Sequence, residues 1–141
     1  MRTGRFFVVN TVVALAVGIL GMFAVRGLLS RINWGMQKRQ MADMRSIATS
    51  MEAYAVEHKQ FPTTDSIEGL AAALSPKYIR TLPKRDNWGD AFQIHSSPTS
   101  YTLYSLGKDG LGSNCTPGTT TRLEDEICIV DGRFVRAPKF D

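Results

Sequence analysis

The chain begins with a continuous apolar run. Residues 6–25 are "FFVVNTVVALAVGILGMFAV", with Asn10 and Thr11 as the polar interruptions. Twenty residues in a helix span about 30 Å, the thickness of the hydrocarbon core of a bilayer. A cleavable signal peptide would need a small-x-small site, which "MFAVRGLLS" does not offer. The pattern therefore predicts an uncleaved transmembrane anchor over residues 6–29, preceded by a basic flank over residues 1–5.

After the anchor, the apolar positions form a stripe at three- and four-residue spacing. The members of this stripe are Met44, Ile47, Ala48, Met51, Tyr54, Ala55 and His58. Polar residues such as Ser50 and Glu57 are expected on the opposite face of a helix. Pro62 ends the helix because it disfavours the helical conformation at Phe61. Residues 30–60 are therefore predicted to continue the helix and to place the stripe on a core.

Residues 61–141 carry signals for a short helix and then for several strands. Thr64 can cap a helix that turns Ile67, Leu70, Ala71 and Leu74 inward. Runs with strand character follow at 91–96, 100–106, 127–130 and 133–137. The last two are joined by Asp131-Gly132, a two-residue hairpin signal. The pattern predicts an α+β fold in which the long N-terminal helix packs on a small antiparallel sheet.

The charges are distributed unevenly along the chain, whose formal net charge is +4. Residues 1–42 contain no Asp or Glu, and their basic residues are Arg2, Arg5, Arg26, Arg31, Lys38 and Arg39. These residues flank the apolar segment and form no basic and aromatic surface pattern, which argues against nucleic acid as a partner. Because both flanks are basic, the positive-inside rule does not orient the anchor.

A search for catalytic signatures finds none. The sequence contains no G-x-S-x-G, Walker A or H-E-x-x-H motif. His58 and His95 have no histidine or cysteine partner at the spacing of metal ligands. We therefore expect a protein that is not an enzyme and that has no small-molecule substrate.

Residues 105–114, "SLGKDGLGSN", form a glycine-rich segment with high conformational entropy. Such a loop keeps one shape only if something outside its own packing holds it. Calcium is one candidate, because Asp109, Glu124, Asp125 and Glu126 could supply carboxylate oxygens from both ends of the loop. A solvated charge run is the alternative for residues 124–126.

A disulfide is the second candidate for holding this loop. Cys115 and Cys128 are the two cysteines of the chain, and they flank the same segment. A bridge that closes about 14 residues would contribute roughly 3 kcal/mol in the chain-entropy model. Two buried free thiols are the alternative, although a domain outside the cytoplasm favours pairing. Calcium and the disulfide could also act together.

Three blocks in this order resemble the major pseudopilin of the type II secretion system, within the type IV pilin-like superfamily. They are "FPTT" at 61–64, "LPKRDNWGDAFQ" at 82–93 and "YSLGKDG" at 104–110, and the resemblance covers about residues 36–136. It implies a pilin-like fold and a single-pass protein of the bacterial inner membrane, with its C-terminal domain periplasmic or extracellular. Members of this family bind calcium with this loop, so the resemblance implies a site at the Leu106 carbonyl, Asp109 and the acidic residues Glu124, Asp125 and Glu126.

The N-terminus departs from the pattern of that family. Its members have a basic leader, a glycine that is cleaved, and then a sequence of the type Phe-Thr-Leu-Ile-Glu, whose glutamate guides assembly. Here Gly4 is followed by Arg5, and Val9 or Asn10 stands in the place of the glutamate.

Two functions follow as expectations. The first is a structural subunit of an envelope-spanning filament of a type II secretion-like system, packed against copies of itself or against related subunits. The alternative is a single-copy, membrane-anchored binding module that does not polymerise.

Overall fold

The computed structural model describes residues 3–112 and 115–139, and it describes side chains from residue 12 onward except that of residue 30. The side chains of Val9 and Asn10, and part of the basic flank over residues 1–5, lie outside the described residues. Two compact units are present, Met1–Gly35 and Met36–Asp141. The helices and strands are α1 (Thr3–His58), α2 (Ile67–Leu74), β1 (Gln93–Ser96), β2 (Tyr101–Ser105), β3 (Gly118–Thr120), β4 (Ile127–Val130) and β5 (Arg133–Pro138).

The first unit is helical and has no buried side chain among residues 12–29. Leu20 and Phe23 are typical, with 69% and 67% of their surfaces exposed. Among the described residues, one helix is long and apolar enough to cross a membrane, and it is this N-terminal one. A helix that exposes apolar side chains all around needs lipid or other helices around it.

The second unit has its core on the predicted stripe of α1. Met44, Ile47 and Met51 are fully buried, whereas His58 at the end of the stripe is exposed. Ser50, which was predicted on the polar face, is also buried, because its hydroxyl donates a hydrogen bond to the Ile47 carbonyl at 2.7 Å. The stripe is therefore confirmed in its middle and shorter than predicted at its end.

The helix ends two residues before the predicted limit at 60. Lys59 adopts a left-handed conformation with φ of +60°, and its N–H donates to the Ala55 carbonyl at 2.8 Å. This conformation closes the last turn and stops α1 at His58.

Ser66, not Thr64, caps α2. The Ser66 hydroxyl accepts the N–H of Gly69 at 3.1 Å, which satisfies one of the free amides of the first turn. Thr64 lies two residues before this cap, and its hydroxyl accepts the N–H of Ser66 at 3.2 Å. Ile67, Leu70 and Leu74 are buried as predicted.

The sheet has five strands in the order β1-β2-β4-β5-β3 and is mixed, not purely antiparallel as predicted. The pairs β1–β2, β2–β4 and β4–β5 are antiparallel, whereas β3 runs parallel to β5. The parallel edge strand contains only Gly118, Thr119 and Thr120, so it has no apolar alternation that sequence reasoning could detect.

The β4–β5 hairpin forms at Asp131-Gly132 as predicted. Both residues have positive φ, +45° and +77°, as a primed two-residue turn requires. Asp131 also accepts the N–H of Tyr101 at 2.8 Å, which joins the hairpin to β2. One cluster of buried apolar side chains unites the stripe of α1, the inner face of α2 and the sheet, and this arrangement confirms the α+β fold.

Candidate functional site

The turn that precedes β1 is organised around Asp86. One carboxylate oxygen, Oδ1, accepts the N–H groups of Trp88 at 2.9 Å and Asp90 at 3.0 Å. Gly89 supplies a positive φ of +101° at the tip. Only 8% of Asp86 is exposed, so the turn is closed around a buried carboxylate.

Ser105, at the end of β2, connects this turn to α1 and to the glycine-rich loop. Its hydroxyl donates to Asp86 Oδ2 at 2.7 Å and accepts the N–H of Gly107 at 3.3 Å. The buried side-chain amide of Gln40, on α1, also donates to the Ser105 hydroxyl. In a buried network each hydrogen bond orders its neighbours. The turn at 82–93 and the loop at 104–110 are therefore held together and attached to the helix.

The start of the loop lies directly against the segment that precedes β4. Gly107 is buried with φ of +81°, and a Cβ atom at this position would lie 2.2 Å from the Glu124 carbonyl oxygen. The N–H of Lys108 donates to the Leu123 carbonyl at 2.9 Å. Only glycine has both the conformation and the small size that this approach needs.

A disulfide attaches the far side of the loop to the sheet. Cys115 and Cys128 are bonded, with 5.7 Å between their Cα atoms. Cys128 lies on β4 and is fully buried. The bridge therefore joins the exposed loop to the centre of the sheet.

Arg136, on β5, contacts both the segment after Cys115 and the acidic segment before β4. Its guanidinium lies 3.7 Å from Asp125 Oδ1 and 3.5 Å from Glu126 Oε2. It also donates to the Thr116 carbonyl at 3.5 Å. In the sheet, Arg136 is paired with Cys128 on one side. One side chain thus reaches both the segment after Cys115 and the segment before β4.

Asp109 and Glu124, two of the acidic residues that were predicted to share a calcium ion, each have a partner of their own. Asp109 is exposed, and its Oδ1 accepts the N–H of Leu111 within the loop at 3.0 Å. Glu124 pairs with Arg122, with 3.6 Å between oxygen and nitrogen. Leu106, whose carbonyl was the fifth predicted ligand, is half-buried.

Both carboxylate oxygens of Asp125 make polar contacts. Oδ2 accepts the N–H groups of Thr121 and Arg122, both at 3.1 Å, while Oδ1 faces Arg136. Partial burial raises the pKa of Asp125, but the two amide hydrogen bonds and the charges of Arg136 and Arg122 outweigh it and hold the pKa below its ordinary value.

This arrangement does not form a calcium cage. Calcium takes about six to eight oxygen ligands at about 2.3–2.6 Å. In the part of the chain that the structure describes, no three His, Cys, Asp or Glu side chains come close enough together to hold a metal ion. The carboxylates of Asp109, Glu124, Asp125 and Glu126 therefore do not surround one ion as they stand, and calcium binding by these residues and the Leu106 carbonyl stays a prediction.

Sequence reasoning missed the residues that make the long-range contacts. Asp86 and Ser105 belong to the motif blocks, but their mutual hydrogen bond joins positions 19 residues apart. Arg136 gave no signal, since an arginine near the end of the last predicted strand is ordinarily a surface residue. An Asp at the start of a D-N-W-G turn was a usable sign, because such aspartates bind the amides that follow them.

Both histidines take part in polar contacts on the surface. The Nε2 atom of His58 lies 3.0 Å from the hydroxyl of Tyr78, which in turn donates to Glu57 Oε2 at 2.6 Å. The Nδ1 atom of His95 lies 2.5 Å from Asp65 Oδ1. Each histidine is thus engaged in a local surface contact.

Comparison with known proteins agrees with the motif blocks. The family model "Type II secretion system (T2SS), protein G" matches residues 27–121, about two thirds of the chain. A search of curated proteins found no match. The match includes the Asp86 turn, Ser105 and the chain as far as residue 121, and it ends before the acidic run and Arg136. The chain therefore belongs to the type II secretion system protein G family, whose members are structural pseudopilin subunits.

Proposed function

We propose that this protein is a structural subunit of a pseudopilus-like, envelope-spanning filament of a type II secretion-like system. The family match over residues 27–121 carries this proposal. The apolar helix supports it, because a helix with exposed apolar side chains over residues 12–29 can be covered by lipid before assembly and by neighbouring subunits afterwards.

We place the protein in the bacterial inner membrane, with a single pass and with the C-terminal domain on the periplasmic side. The apolar helix supports the single pass. The Cys115–Cys128 disulfide supports the periplasmic side, since disulfides persist in oxidising compartments. Its partners would be the membrane and other pseudopilin-like subunits, including copies of itself.

One observation favours a second function, a single-copy anchored binding module that does not polymerise. Val9 or Asn10 stands where the family has its guiding glutamate, and Arg5 follows Gly4. A cationic side chain would repel its copies in a low-dielectric bundle of helices. On this reading, the pilin-like domain serves as a platform for another envelope protein.

Photo-crosslinking in cells distinguishes the two functions. A photoreactive amino acid at Leu20, a side chain that is 69% exposed in the apolar helix, reports which chain lies beside it. If the protein forms a filament, we expect a ladder of covalent multiples of the subunit. A single adduct with a different protein, without multiples, would favour the anchored module.

A substitution at Asn10 tests the role of the missing glutamate in the same assay. Asn10→Glu is expected to lengthen the ladder, because it restores the carboxylate that guides assembly in the family. Asn10→Gln is the matched control, since it adds the same length without charge. Absence of multiples in the parent and in both variants would contradict the filament proposal.

A further inference from the structure

Besides the hydrogen bond from Gly107 to Ser105 at its start, the loop over residues 106–126 has two attachments that do not depend on a bound ion. The disulfide between Cys115 and Cys128 is the first. The second is Arg136, which contacts Asp125, Glu126 and the Thr116 carbonyl. The disulfide holds the middle of the loop to β4, and Arg136 holds that middle, at Thr116, to the C-terminal end of the loop, at Asp125 and Glu126.

The position of Arg136 in the sheet explains its reach. On β5 it is paired with Cys128 of β4 and with Gly118 of β3. Asp125 and Glu126 immediately precede β4, and Thr116 precedes β3. Arg136 therefore lies on the middle one of three adjacent strands. Its side chain lies beside the segments that lead into the two neighbouring strands, β3 and β4.

The burial of these groups makes the pairs more than surface contacts. The side chains of Arg136 and Asp125 are each 25% exposed, and that of Glu126 is 9% exposed. Partly buried ion pairs are less screened by water and salt than exposed ones. Removing the arginine would take a cation away from two partly buried carboxylates of the same charge, each with less solvent than it has in the unfolded chain.

We propose that Arg136 is the built-in cation of this loop: its guanidinium takes the structural place of a bound divalent ion by joining Asp125 and Glu126 to the Thr116 carbonyl. An arginine suits this role because its planar fork offers five donors and stays charged at all physiological pH values. With the disulfide, it gives a loop whose shape is independent of calcium. The acidic run and Arg136 both lie beyond the residues matched by the family, so the family match does not extend to them.

The first experiment measures thermal unfolding of the full-length protein in detergent, with calcium chloride or with a chelator. The parent is expected to melt at the same temperature in both, within about 1 °C. Arg136→Gln is expected to lower the midpoint by about 5–10 °C, a typical shift for the loss of a partly buried pair in a domain of about 100 residues. Arg136→Lys should lie in between, because it keeps the charge and loses the fork.

Arg133→Gln is the matched control, since Arg133 lies on the same strand and is exposed. It removes the same charge and is expected to leave the midpoint within about 1–2 °C of the parent. Hydrogen exchange adds a local measurement. The amides of Thr121 and Arg122, which Asp125 binds, should exchange faster in Arg136→Gln and unchanged in Arg133→Gln.

Two results would overturn the proposal. One is a calcium-dependent rise of several degrees in the midpoint of the parent, which would establish the ion as the cation of the loop. The other is an Arg136→Gln variant that behaves like Arg133→Gln. Should Arg136→Gln fail to fold, the midpoints of Arg136→Lys and of the parent with chelator still test the proposal. The proposal requires that chelation leave the midpoint of the parent unchanged. None of these measurements depends on filament formation.

Discussion

Gly107 and Gly89 both have positive φ, yet their surroundings differ. At Gly107, φ is +81° and an added Cβ would lie 2.2 Å from the Glu124 carbonyl oxygen. At Gly89, φ is +101° and nothing lies within 4 Å of an added Cβ. Gly107 is therefore required by conformation and by packing, whereas Gly89 is required by conformation alone.

Comparing alanine at these two positions separates the two effects. Gly89→Ala is expected to cost about 1 kcal/mol through backbone strain. Gly107→Ala is expected to cost about 3 kcal/mol, because the loop must also move away from residues 124–125. Denaturant unfolding of the full-length protein in detergent measures both. Equal losses in the two variants would show that the loop does not lie against this backbone.

At the scale of elements, the loop is held by its neighbours more than by its own contacts. The turn at 82–93 reaches it through Asp86 and Ser105. The strand β5 reaches it through Arg136, and β4 reaches it through the disulfide. Each attachment joins the loop to an element with a buried face, so the low intrinsic order of a glycine-rich segment is offset by the rigidity of the sheet.

The disulfide gives a prediction at this scale. The double variant Cys115→Ala/Cys128→Ala is expected to lose about 2–4 kcal/mol of stability, since an open loop of this length gains chain entropy on unfolding. The midpoint should fall by about 10–20 °C. Reductant is the internal control, because it should destabilise the parent to the same level and leave the double variant unchanged. A reductant effect on the double variant would mean that another process lowers its stability.

At the scale of the whole molecule, the two units differ in how their apolar side chains are covered. In Met36–Asp141, most of the described apolar side chains lie in or against one buried core cluster, and Val56 and Leu111 are exposed. Those over residues 12–29 of the first unit are all exposed. The second unit can therefore bury its own apolar surface, whereas the first needs lipid or neighbouring helices.

Cysteine labelling tests the predicted topology of the molecule. An engineered Ala73→Cys on the exposed face of α2, near Lys77, should react with a membrane-impermeant maleimide in spheroplasts. Val17→Cys, within the anchor, is the matched control and should stay unlabelled because the bilayer covers it. Labelling of Ala73→Cys only after lysis would place the domain in the cytoplasm and would remove the reason to expect a stable disulfide.

The sequence by itself determined the elements that depend on local periodicity and on backbone conformation. The helix over the apolar run, the stripe from Met44 to Met51 and the Asp131-Gly132 hairpin were all predicted correctly, because each is encoded within a few neighbouring residues. The motif blocks also determined the family.

Only the tertiary structure decided what holds the loop. The parallel strand Gly118–Thr120 pairs with β5, and its own residues carry no apolar alternation that would predict a strand. Likewise Asp86, Ser105 and Arg136 make hydrogen bonds to residues that are distant in the sequence, and no local sequence pattern predicts such contacts. A carboxylate is a calcium ligand or an ion-pair partner according to which groups the fold brings beside it. Folding brings Arg136 to Asp125, and that proximity is a property of strand order and register rather than of the acidic run itself.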